Sequence, residues 1–116
     1  MQKETTFETV NSQAAGIDIG AEKIFVSADG ITVTSFETFT ADYLRCVTYF
    51  KERKIERVAM EATGVYWIAL YEILENNGLE VCLVNPKEVK QVKGRKTDVK
   101  DCQWIQKLFS AGLLRQ

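Results

Sequence analysis

Hydrophobic and polar positions change period along this chain, and the changes divide it into elements. From Ala15 to Phe36 the apolar residues come in short β-rich runs, which predict strands over Ala15–Ile19, Lys23–Ala28 and Ile31–Phe36. Asp29-Gly30, between the second run and the third, is a hairpin signal. After Thr40 the spacing lengthens. Tyr43, Leu44, Val47 and Phe50 form one stripe, predicting a helix that runs to Arg53 with Thr40 as its N-cap. A short strand follows over Arg57–Glu61, then a turn at Ala62-Thr63-Gly64 and a helix from Val65 to Asn76, closed by Gly78. The strand Glu80–Val84 runs into Asn85-Pro86, a pair suited to an N-cap and a first helical position. A short basic helix, a loop at Gly94 and a last helix from Thr97 to Ala111 complete the series.

The order is β-β-β-α-β-α-β-α. Three antiparallel strands followed by alternating helices and strands predict an α/β fold, a mixed five-stranded sheet flanked by helices. The ribonuclease H-like fold has this order, and so has each half of the actin and sugar-kinase fold. With 116 residues the chain suits one domain that buries about two-thirds of its unfolded surface. That domain is expected over 14–116, behind a polar, flexible lead-in over 1–13.

Composition narrows the chemistry. The chain is 46% apolar and 27% charged, as in soluble globular domains. No apolar run approaches the ~20 residues of a membrane span, and the polar N-terminus has no signal-peptide core. A cytoplasmic protein with no membrane partner is expected. Cys46, Cys82 and Cys102 fall in separate periodic segments, which suits buried free thiols in a reducing compartment. Histidine is absent, which removes the commonest general base and the usual zinc ligands. Any catalysis falls to carboxylates.

Four acids stand out. Asp18 sits inside the strand "AGIDIG", where Ala15, Ile17 and Ile19 share one face and leave Asp18 on the other with Gly16 and Gly20. Glu61 ends the strand "RVAME" on the face of Ala59. Asp98 and Asp101, at i and i+3 in "TDVKD", would share a helical face. If the first and fourth strands are parallel neighbours, all four can meet. Two such charges ~4 Å apart oppose each other by about 4 kcal/mol at an effective dielectric of 20, so an ionised cluster needs cations. An all-oxygen set suits Mg²⁺ or Mn²⁺, and two such ions can clamp a phosphodiester. Taken singly, each acid has an ordinary reading as well. Asp18 can be a turn acid before glycine and Glu61 a solvated strand end, while Asp98 and Asp101 can be a helix cap and a first-turn acid. Near the acids, "KEVKQVKGRKTDVK" sets six basic residues against two acidic ones, although the whole chain carries only −1. Charge alone leaves it as either a phosphate-contacting segment or a solvated face. Tyr66 and Trp67, at a helix start, fit a core better than a base-stacking platform.

"GIDIGAEK", "MEATGVYW", "VNPKEVK" and "GRKTDVKD" appear in the order and spacing of the DEDD transposases of the bacterial insertion-sequence-110 family, which includes the Piv-type invertases. "MEATGVYW" with the later "KTDVKD" is the specific part of the resemblance, which runs from Ala15 to the end. It implies a ribonuclease H-like, RuvC-like catalytic domain whose catalytic and metal-binding acids fall on Asp18, Glu61, Asp98 and Asp101. It implies two Mg²⁺ (or Mn²⁺) ions, DNA cleavage and joining during transposition, a bridge RNA that selects the DNA, and a homo-oligomer working in the bacterial or archaeal cytoplasm. Lys87, Lys90, Lys93, Arg95 and Lys96 are the expected contacts to the nucleic-acid backbone. Family members continue through a helical region into a domain with a serine nucleophile. Gln116 comes before any such domain, so a separated or truncated catalytic domain is expected, and Ser110 takes no such role.

Other readings compete. A RuvC-like Holliday-junction resolvase would share the fold and the acids, though not the "ATGVYW" and "KTD" context. A metal-free nucleic-acid-binding module would show no effect of metal on stability. A sugar-kinase-type ATP site would need a second half and more Gly-rich phosphate loops, and would leave Asp98 and Asp101 without a task.

Overall fold

Five strands form one mixed sheet in the order β3-β2-β1-β4-β5. β2 (Lys23–Ser27) runs antiparallel to both of its neighbours, β1 (Ala14–Ile19) and β3 (Thr34–Glu37). β4 (Arg57–Glu61) and β5 (Glu80–Val84) add in parallel on the other side of β1. The computed structural model describes residues 9, 11–61, 64–95 and 99–114. Four helices flank the sheet among these residues: α1 (Thr40–Glu52), α2 (Trp67–Asn76), α3 (Pro86–Gln91) and α4 (Asp101–Ser110). This is the α/β, ribonuclease H-like arrangement expected from the element order. None of these helices is long and apolar enough to cross a membrane.

Strand alternation creates two cores. Ala15, Ile17, Ile24, Val26, Val58 and Met60 point to one face, where Tyr43, Cys46, Val47 and Phe50 of α1 and Leu70 and Leu74 of α2 cover them. Ala14, Ala59, Cys82 and Val84 point to the other face, under Val89 of α3 and Trp104, Ile105, Leu108 and Phe109 of α4. A buried side chain of this size contributes about 1.5–3 kcal/mol, so both layers are needed to hold the sheet. The three cysteines are buried free thiols, and burial pushes Cys46 up to about 12, which makes it inert at neutral pH.

Several boundaries differ from expectation for local reasons. β3 begins at Thr34 rather than Ile31. The Asp29 carboxylate accepts from the N–H groups of Ile31 (2.8 Å) and Thr32 (2.7 Å), taking donors a strand ladder would need. Gly30, at φ 79°, turns that loop, and its N–H donates to Ser27 Oγ at 2.9 Å. In α1 the stripe uses Cys46 in place of Leu44, which is exposed. The N-cap of α1 is Phe39, and Asp42 instead accepts from the Glu37 N–H at 2.7 Å. α2 closes as expected: Leu79 N–H reaches Leu74 O and Gly78 N–H, at φ 86°, reaches Glu75 O. Asn85 caps α3 through its Oδ1, 2.9 Å from the Lys87 N–H. α4 starts at Asp101, later than the expected Thr97, with Lys100 at the N-cap; the Lys100 N–H donates to Gln103 Oε1 at 2.7 Å.

Gly16 decides how close α4 comes. A Cβ on Gly16 would lie 2.5 Å from both Cys102 O and Gln106 N, two backbone atoms of α4. The helix therefore rests directly on β1. Gln106, buried, ties the two together by donating Nε2–H to Ala14 O at 3.1 Å. Overpacking costs typically ~1–3 kcal/mol, and here no rotamer relieves the clash. Gly16→Val is expected to cost about 3 kcal/mol or more, seen as a fall of roughly 10 °C in Tm. A fall of under roughly 2 °C in a melting curve would contradict this docking.

Candidate active site

Strand register brings the first two acids to one edge of the sheet. β1 and β4 pair in parallel with Ile17 beside Met60, so Asp18 and Glu61 stand one step further on and on the same face. That is the face Gly16 opens to α4, and α4 begins with Asp101. Helix docking thus carries a third carboxylate toward the pair. The expected helical face shared by Asp98 and Asp101 falls outside the described residues, as do Asp98 and Lys96 themselves.

The charge of Asp101 reaches Asp18 and Glu61, and that of Asp18 reaches Glu61. Asp18 is half-buried, and its carboxyl is raised above the usual range first by burial and then by the charge of Asp101, while Arg95 pulls it back. Glu61 is raised first by burial and then by Asp18 and Asp101, with Lys90 and Arg95 opposing. Both acids bind a proton more tightly folded than unfolded, so when ionised they oppose folding. That opposition grows as pH rises through their raised pKa values and is absent below the ordinary carboxylate range. Cys102, beside them, is pushed up to about 11 by burial and then by Asp18, so it is a thiol and not a nucleophile.

Arg95 is the cation of this cluster. Its Nη2 lies 2.6 Å from Asp101 Oδ1, and the same guanidinium donates to Val99 O from Nη2 (2.7 Å) and Nε (3.2 Å). The charge run in the sequence does not reveal this engagement, which joins Arg95 to residues at the start of α4. Lys87, Lys90 and Lys93 are exposed on α3 and just past it. Lys90 is the one whose charge reaches Glu61. Trp67 is partly buried against the first core, donating Nε1–H to Gly64 O at 3.0 Å and meeting Tyr71 edge-on at 5.8 Å, whereas Tyr66 is exposed, contrary to the expected core placement. Ser110 lies at the far end of α4, about 13 Å from Asp101 at the helical rise of 1.5 Å per residue.

A cleft of about 450 Å³ opens at the acids, lined by Asp18, Phe25, Val33, Arg95 and the segment from Val99 to Cys102. Its carboxylates, Asp18 and Asp101, offer oxygen alone, the donor type that Mg²⁺ and Mn²⁺ take. Among the described residues, no three acidic or cysteine side chains are gathered closely enough to hold a metal ion. The oxygen donors suit a divalent ion in kind, but the described carboxylates are not drawn together around one, and Arg95 supplies the positive charge beside Asp101 in this conformation. Sequence reasoning places Gly16 on the face of Asp18 without seeing that α4 rests on it, and passes over Phe25. A glycine inside a strand is itself a sign of close backbone approach. Phe25 carried no comparable signal.

Residues 15–116 match the family model of the DEDD transposases of the insertion-sequence-110 type, described as a transposase. No curated protein matches the chain.

Proposed function

This chain belongs to the DEDD transposases of the insertion-sequence-110 family, and from that footing we propose that it is a RuvC-like catalytic domain that cleaves and joins DNA with divalent metal. A transposase acts on DNA. The observation that supports the metal-dependent reading is that Asp18 and Glu61, side by side on adjacent strands, are both raised in pKa by burial and then by neighbouring carboxylates, with Asp18 and Asp101 lining one cleft. In this reading Asp18, Glu61, Asp98 and Asp101 hold two Mg²⁺ or Mn²⁺ ions, which would stabilise charge on the scissile phosphodiester when bound. Asp18 and Glu61 come from adjacent strands of the sheet, so their spacing is set by backbone hydrogen bonds rather than by loops. The domain over 14–116, the serine-bearing partner domain, the bridge RNA and the homo-oligomer belong to the same proposal. A cleavage assay on supercoiled DNA with and without Mg²⁺ tests it: cleavage that survives chelation contradicts metal dependence.

Lys87, Lys90, Lys93, Arg95 and Lys96 are assigned to hold the nucleic-acid backbone beside the acids. The exposure of Lys87, Lys90 and Lys93 leaves them available, and Lys90 and Arg95 already reach the cluster electrostatically. Reversing Lys87, Lys90 and Lys93 to Glu is expected to weaken DNA binding. It should also flatten the slope of log affinity against log salt by roughly 0.9 per lost contact. An unchanged salt slope would make them a solvated face.

A further inference from the structure

Phe25 sits in an unusual place for an aromatic ring. Strand pairing puts it directly across from Asp18 on one side and Ser35 on the other, so all three point to the same face. α4 covers this face over Gly16 but leaves Phe25 39% exposed. Val33, 37% exposed, joins it in the cleft wall. Gln103 donates to Ile31 O at 2.7 Å and so fixes the β2–β3 loop that carries Val33 against α4. Single exposed apolar residues are ordinary on a surface. This one joins Val33 and Val99 as the apolar wall of a cleft that Asp18, Asp101, Arg95 and Lys100 also line.

We propose that Phe25, backed by Val33, is a stacking platform for one unpaired base of the DNA strand held at the acids. The proposal rests on the DNA-cleaving reading above. A nucleotide needs two complementary surfaces, a cationic one for its phosphate and an apolar one for its base, and the cleft presents both. Its size, about 450 Å³, lies in the range of pockets for compact organic groups. Stacking on an aromatic ring tolerates any base, as an enzyme directed to varied sites requires, and its loss on alanine substitution is substantial.

The test is binding of a short fluorescent single strand by the whole chain, alongside strands carrying one abasic position in turn. Phe25→Ala is expected to lose about 5- to 150-fold in affinity with the salt slope unchanged, since no phosphate contact is removed. Phe25→Trp should retain binding, and Phe25→Leu should lose most of it despite keeping an apolar side chain. Wild type should weaken at one abasic position, and Phe25→Ala should be blind to it. Equal affinity of wild type and Phe25→Ala, or an equal loss on a fully abasic strand, overturns the platform alone. Absence of any strand binding by wild type at low salt overturns the platform and the DNA site together. The melting temperature of each variant shows that the fold is intact.

Discussion

Asp18→Ala and Glu61→Ala are each expected to lower DNA cleavage by the protein on the order of 10³-fold or more, while leaving the sheet folded. The size follows from the several kcal/mol of charge stabilisation a metal ion supplies, with each 1.36 kcal/mol worth tenfold in rate. Water cannot replace either carboxylate in place, because each is fixed to the sheet: Asp18 opposite Phe25 on β2, and Glu61 opposite Val84 on β5. Neither residue carries the core, since Ile17 and Met60 point to the other face. Removing a repelling charge should, if anything, raise the metal-free melting temperature. Cleavage within tenfold of wild type in either variant would remove that residue from the reaction.

Much of this architecture is legible in the sequence, and the reasons differ by element. β4 and β5 are read to the residue, and β5 is bracketed by local turn chemistry: Gly78 before it, at positive φ, and after it Asn85, whose side chain caps α3, with Pro86. Asp18 and Glu61 fall on one face because strand period two and parallel pairing leave no alternative. What escapes is set by tertiary contact. The Asp29 side chain shortens β3 by capturing two N–H groups, and only the folded loop shows that it does. Cys46 replaces Leu44 in the α1 stripe because the helix rotates to suit β3 and α2, and local spacing permits both. Arg95 pairs with Asp101, a contact that charge density along the chain does not reveal. The late start of α4 has the same origin: Lys100 and Gln103 close its N-terminus against the β2–β3 loop.

The cluster of acids is the centre of the account, and metal-linked stability tests it most directly. In the metal-free fold Asp18 carries the cost of burial and of the Asp101 charge, offset in part by Arg95. A divalent ion that binds only the folded chain must stabilise it, by about 2.7 kcal/mol at a hundredfold excess over its Kd. Mn²⁺ should act more strongly than Ca²⁺ on a small, near-octahedral oxygen cage. Asp18→Asn keeps the shape and removes one charge. The decisive measurement is thermal melting of wild type and Asp18→Asn with and without Mn²⁺. The account expects the metal-free variant to melt above metal-free wild type and to gain less from Mn²⁺. An equal response to Mn²⁺ in both proteins, or none in wild type, would contradict a metal centre built on these acids.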